Sequence, residues 1–285
     1  MFSLRKILLL GLLLLLARPV AAQVDLSQMV TFGDSLTNNE WGRPLDLYGA
    51  DPFEAAFLKA AQAGDNLSNY AVPGSQSVHL HLQVDLYEFF LALGSQRAAT
   101  LYGLEIGGND FLANVSLLGA HPPGSHADAD AVVGRLLTNL RVVLRDLQQL
   151  APQAHFVLWT VPDITLTPAL IHSLSSTEID NIRSHLDRAN RSILNLAQDP
   201  GIAVVPLFRA MQQAIPNPPV LFGHALQGPP VYGEYDALFA DSIHPTAVGN
   251  ALIANGILNT MNRKWLMGFP YYSRGELADF ARIPH

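Results

Sequence analysis

The stretch Met29-Val30-Thr31-Phe32-Gly33-Asp34-Ser35-Leu36 sets the reading of the fold. A short apolar run reads as a buried strand, and Gly33-Asp34 turns the chain at its end. Ser35 then stands at a strand's carboxyl end, where α/β sheets place their sites. The pattern recurs downstream. Residues 67–72 run into Pro73-Gly74, residues 101–106 into Gly107-Gly108, and residues 156–161 and Ile202–Val205 read as further strands.

Helical segments fall between them. Asp51-Pro52 suits an N-cap followed by proline at the first helical position. Phe53, Ala56, Phe57, Ala60 and Ala61 then share a face, and Gly64 closes the segment. Residues 78–93 read as helical. Asp128 is expected to open a long helix whose stripe runs Val132, Val133, Leu136, Leu137, Leu140, Val143, Leu144 and Leu147. Ile179, Ile182, Leu186, Ala189, Ile193 and Leu196 mark another, and 246–264 is expected to be the last. Alternating strands and helices predict an α/β fold with a mainly parallel sheet flanked by helices. Without a linker, a charge block or a repeat, residues 23–285 read as one domain. Residues 111–127 and 216–240 are expected to be long loops of the kind that carry binding sites.

The amino terminus reads as an address. Arg5 and Lys6 precede an apolar run over residues 7–17, and Val20-Ala21-Ala22 supplies small residues before a cut after Ala22. Eleven apolar residues fall short of the roughly 20 that a spanning helix needs. Residues 1–22 are therefore expected to be a signal peptide, giving a secreted or periplasmic protein with no integral membrane segment after cleavage. The full chain of 285 residues carries a net charge of −7. Losing Arg5, Lys6 and Arg18 leaves −10 on 263 residues. That acidity argues against nucleic acid, whose binders need a basic footprint. The chain has no cysteine, which excludes disulfides, Cys-ligated metals and thiol catalysis.

Four segments carry chemistry. Gly33-Asp34-Ser35 offers a hydroxyl at a strand end. Asp241-Ser242-Ile243-His244 places a carboxylate and an imidazole on one local turn, where the carboxylate can accept from one ring nitrogen while the other faces a nucleophile. Gly107-Gly108-Asn109-Asp110 presents a neutral amide donor after a strand, and Asn69-Tyr70-Ala71-Val72-Pro73-Gly74-Ser75 an exposed glycine amide after another.

Together, over residues 30–246 and in order, these segments resemble the four blocks of the GDSL family of serine hydrolases, also called SGNH hydrolases. The resemblance implies a flavodoxin-like α/β/α sandwich, with Ser35 as nucleophile, His244 as base and Asp241 as its partner. It also implies an oxyanion hole formed by the amides of Ser35 and Gly74 and the side chain of Asn109. No metal or organic cofactor is implied. The expected partner is a small-molecule or lipid ester, with acyl esters or lysophospholipids favoured by the wording around the blocks. A carbohydrate O-acetylesterase, an acyltransferase and a non-catalytic binding protein of the same fold are the alternatives. Relatives often carry an aspartate and a Gly-Asn shortly after the first block, where this chain reads Thr37-Asn38-Asn39-Glu40-Trp41.

Other features have plainer readings. His79 and His81 alternate with leucines, but no nearby ligand set completes a metal site. A metallophosphoesterase would need an Asp-x-His run near its start, and there is none. Asp34 is expected to support the turn or to hydrogen-bond near the site. Residues 222–239 and 111–118 either wall a substrate pocket or pack on the core.

Overall fold

The computed structural model describes residues 24–38, 46–61 and 66–285. The expected signal peptide, Gly64 and the run Asn39-Glu40-Trp41 lie outside the described residues. The sheet consists of β1 (Met29–Phe32), β2 (Leu67–Asn69), β3 (Leu101–Leu104), β4 (His155–Trp159) and β5 (Ile202–Val205). All pairings are parallel and the order is β2-β1-β3-β4-β5. Around it lie α1 (Pro52–Ala61), α2 (Leu80–Ala92), α3 (Gly108–Leu112), α4 (Val115–Ala120), α5 (Ala127–Leu150), α6 (Ser176–Asn195), α7 (Leu207–Ala214), α8 (Ala247–Trp265) and α9 (Arg274–Phe280). A two-residue hairpin, β6 (Val220–Leu221) and β7 (His224–Ala225), sits apart from the sheet.

The two-residue period of a strand explains the layering. Val30, Phe32, Tyr102, Leu104, Phe156, Leu158 and Val204 face one core with the stripes of α2, α5 and α6. Met29, Leu101, Val157, Trp159, Ala203 and Val205 face the other, with α1 and α8. Because both faces are covered, these strands are apolar nearly throughout. The result is the three-layer α/β/α sandwich that the sequence predicts. Phe32 pairs with Leu104, so β1 and β3 end level with each other. The chain leaves β1 toward β2 and later returns on β1's other side with β3. The crevice at this reversal is where open α/β sheets bind ligands.

Several boundaries differ from expectation. β2 ends at Asn69 rather than 72, although Tyr70 and Val72 still donate their amides to Thr31 and Gly33 of the neighbouring segment. β3 ends at Leu104, because Gly107 takes a left-handed conformation that starts α3. The loop expected over 111–127 is largely helical. Phe111 and Leu118 are fully buried, and that anchoring makes α3 and α4 despite Gly119 within α4 and the Pro122-Pro123-Gly124 run that follows. Helix α5 starts at Ala127, capped by the His126 ring, which accepts from the amide of Asp128 at 3.3 Å. Asp128 sits in the first turn, where a negative charge suits the helix dipole. Helix α8 is not the last, because Ser273 and Glu276 form a capping box that opens α9.

Candidate active site

The turn after β1 is built by close approach. Gly33 has φ +153°, and a Cβ there would lie 2.4 Å from the carbonyl oxygen of Glu105. Only glycine fits. Asp34 then organises the turn. Its carbonyl accepts from the amides of Thr37 and Asn38, and its carboxyl Oδ1 accepts from the amide of Leu36 at 3.0 Å. Ser35 is left pointing into the crevice's far wall, where His244 waits.

His244 Nε2 lies 2.8 Å from Ser35 Oγ, and His244 Nδ1 lies 2.7 Å from Asp241 Oδ2. Asp241 Oδ1 accepts from the amides of Ile243 and His244, each at 2.7 Å. Burial pushes the Asp241 carboxyl up, but the bonds from His244 and these amides outweigh it and hold the group at about 2. With the carboxylate on Nδ1–H, Nε2 carries the lone pair that faces the hydroxyl. Thr246 caps α8 through the amide of Gly249 at 3.2 Å, and this fixes where residues 241–245 enter the site. Tyr48 donates its hydroxyl to Asp241 Oδ2 at 3.1 Å. Burial and the Asp241 charge push the Tyr48 phenol up to about 12, so it remains a donor.

Gly74 and Asn109 come from the ends of β2 and β3. Gly74 is exposed with φ +80°, another position that favours glycine. Among the described residues, the amides of Ser35 and Gly74 have no intramolecular acceptor. Asn109 Nδ2 donates to Asp34 Oδ2 at 3.1 Å and to the carbonyl of Ser75 at 3.0 Å. Its two hydrogens are therefore both engaged. Ser35, His244 and Asp241 form one bonded chain, Asn109 reaches it through Asp34, and Gly74 precedes Ser75, whose carbonyl Asn109 holds.

Gln83 was not singled out from the sequence. It is buried in α2, accepts from the amide of Gly33 at 2.9 Å, and donates to the carbonyl of Gly33 at 2.8 Å and to Ser75 Oγ at 3.1 Å. It thereby ties the Ser35 turn to the Gly74 loop. Asp110 takes the amide of Ser77 at 2.8 Å and its hydroxyl at 2.6 Å, holding that loop from the other side.

A cavity of about 290 Å³ opens beside Ser35 and Asn109. Its walls are almost wholly aliphatic: Leu112 and Ile164 on one side, Leu207 and Met211 of α7, and Leu252 and Ile253 of α8. From residues 222–239 only Leu238 and Phe239 reach it. Phe222 is exposed and stacks on His285. From 111–118 only Leu112 reaches it, while Phe111 packs in the core. Among the described residues no cluster of His, Asp or Glu is grouped to hold a metal, and no helix is long and apolar enough to cross a membrane.

The model of the GDSL-like lipase/acylhydrolase family matches residues 31–252, and the chain belongs to that family. This makes it a member of a hydrolase family that acts on esters. The fold is shared with the lipase Lip_vut3 from a goat rumen metagenome (12% identity, TM-score 0.55, covering 82% of this chain and 96% of that one). It is also shared with phospholipase A1 from Streptomyces albidoflavus NA297 (22%, 0.50, 84% and 99%) and with the acetyl xylan esterase AlAXEase (20%, 0.50, 81% and 98%). No curated protein matches the sequence.

Proposed function

We propose that the protein is an exported carboxylic-ester hydrolase that works through Ser35, His244 and Asp241. The observation that carries this reading is the unbroken chain Ser35 Oγ to His244 Nε2, then His244 Nδ1 to Asp241 Oδ2, at 2.8 and 2.7 Å. A serine hydroxyl is a weak nucleophile until a base takes its proton during attack. His244 takes that proton, and the Asp241 carboxylate stabilises the imidazolium that results. The ester carbonyl oxygen becomes an oxyanion, received by the amides of Ser35 and Gly74. Asn109 turns one of its hydrogens from a neutral acceptor to this charge, because a charged acceptor makes the stronger bond. His244 then protonates the departing alcohol, and water resolves the acyl-enzyme by the same steps in reverse.

The aliphatic cavity favours an acyl ester over a sugar acetate. Its 290 Å³ of aliphatic space suits an acyl chain longer than acetyl. A sugar would leave its hydroxyls without partners against these walls. Each buried methylene contributes about 0.8 kcal/mol, or about fourfold in kcat/KM. A panel of p-nitrophenyl esters from C2 to C16 tests this. The expected result is a rise of that size per carbon to a maximum beyond C4. A maximum at C2, or no hydrolysis of any ester together with no labelling of Ser35 by a fluorophosphonate, overturns the reading. Export is tested by finding the chain, cut after Ala22, outside the cytoplasm.

A further inference from the structure

Behind the Ser35 turn lies a second acidic side chain that the mechanism does not use. Glu105 follows β3 and is almost completely buried. Its Oε2 accepts from the amide of Asp34 at 3.3 Å and from the Thr37 hydroxyl at 3.2 Å. Its Oε1 is buried with no partner. Asp34 is itself buried, and its Oδ2 is the acceptor for Asn109. We propose that Glu105 is a positioning residue of this site: by taking the Asp34 amide and the Thr37 hydroxyl it sets the turn that carries Ser35, and through Asp34 it aims Asn109. The proposal rests on the ester-hydrolase reading above.

Glu105 and Asp34 are neighbouring buried carboxyls, joined through the Asp34 amide. No buried pair of this kind keeps both charges when the neighbouring groups supply no fixed cation. The ionisable groups that face it are Asp110, which adds negative charge, and His244, which is neutral while it serves as base. Burial and the Asp34 charge push Glu105 well above the usual carboxylate range, so Glu105 is the member that keeps the proton. Asp34 is left as the acceptor that the amides of Leu36 and Asn109 require. The arrangement also accounts for a cost. A buried carboxyl with one orphaned oxygen is costly to desolvate. A residue kept only for packing would not be an acid here.

That contrast gives the test. Glu105→Met removes both acceptor contacts, and Glu105→Gln keeps an oxygen and adds an amide that can donate to Asp34. Each is compared with the wild type for melting temperature, for kcat and KM on p-nitrophenyl octanoate, and for fluorophosphonate labelling. Glu105→Met is expected to melt below the wild-type temperature, because the Asp34 amide and the Thr37 hydroxyl lose their acceptor, while kcat falls about tenfold or more and KM stays within about twofold. Glu105→Gln is expected to recover most of that kcat. If Glu105→Met does not fold, Thr37→Val replaces it, with an expected fall in kcat of about threefold or more that Thr37→Ser restores. A folded Glu105→Met or Thr37→Val with wild-type kcat overturns the role, as does a Glu105→Gln as slow as Glu105→Met. A wild type that neither labels nor hydrolyses overturns the parent reading instead, so the two failures are separable.

Discussion

Asp241 and His244 are joined twice, once through the carboxylate Oδ2 and the imidazole Nδ1 and once through Oδ1 and the His244 backbone amide, each at 2.7 Å. One carboxylate thereby fixes both the ring and the backbone that carries it. The ring cannot swing without breaking a charge-assisted bond, so its Nε2 is held toward Ser35 before any substrate arrives.

The double bond predicts both a rate and a pH dependence. Asp241→Asn is expected to lower kcat by about 1,000-fold or more, because the amide no longer selects the tautomer. The folded carboxyl is depressed to about 2, below its unfolded value near 3.9. Its stabilising contribution is therefore fully present above about pH 4 and is lost as pH falls toward 2. Thermal melts of the wild type and Asp241→Asn should differ at pH 6 and converge at pH 2.

Ser35→Ala and His244→Ala are each expected to reduce p-nitrophenyl ester turnover by at least about 1,000-fold, with melting temperatures close to wild type. Neither side chain is part of the hydrophobic clusters. Near-wild-type turnover by either variant would remove that residue from the chemistry.

Asn109→Ala is expected to lower kcat by about 100-fold, the usual cost of an oxyanion donor. Single-turnover acylation is the direct measurement. An unchanged rate would leave Asn109 only its bonds to Asp34 and Ser75.

Gln83→Leu removes three hydrogen bonds from buried groups around Gly33 and Ser75. The orphaned Gly33 amide, beside a carbonyl that keeps only its bond from Val72, should destabilise the protein by about 1–3 kcal/mol. Denaturant unfolding measures this. A change under about 0.5 kcal/mol would show that water replaces the side chain.

Met211→Trp places a bulky ring in the aliphatic cavity. The ratio of kcat/KM for the acetyl ester to that for the octanoyl ester should rise at least about tenfold. An unchanged ratio would mean that the acyl chain lies elsewhere.

The strand-forming runs were legible because both faces of the sheet are buried, so Met29–Phe32 and Ile202–Val205 are apolar nearly throughout. The stripe of α5 was legible because one face meets the core and the other meets water. Ser35, Gly74, Asn109, Asp241 and His244 were legible as a set because each sits in a short local motif. Tyr48, Gln83 and Glu105 were not. Their partners lie 193, 50 and 71 residues away, and no local spacing encodes a contact across the sheet. Helices α3 and α4 were hidden by Gly119 and by the Pro122-Pro123-Gly124 run after it, since their burial against α5 and α6 is tertiary. The capping box of α9, Ser273 to Glu276, was present as a local signal and marks what a closer reading of the C-terminal segment would find.

The bond between Ser35 and His244 spans 209 residues. On a chain emerging amino end first, Ser35 reaches its turn long before residues 241–246 exist. Its hydroxyl then lacks an imidazole and stays as inert as any surface serine. Closing so long a loop is entropically slow and is rewarded only once the sheet and α8 have docked. On the proposed triad, the appearance of a reactive Ser35 is a clock for the final steps of folding, and a fluorophosphonate that labels it during refolding is expected to time the docking of the carboxyl-terminal segment.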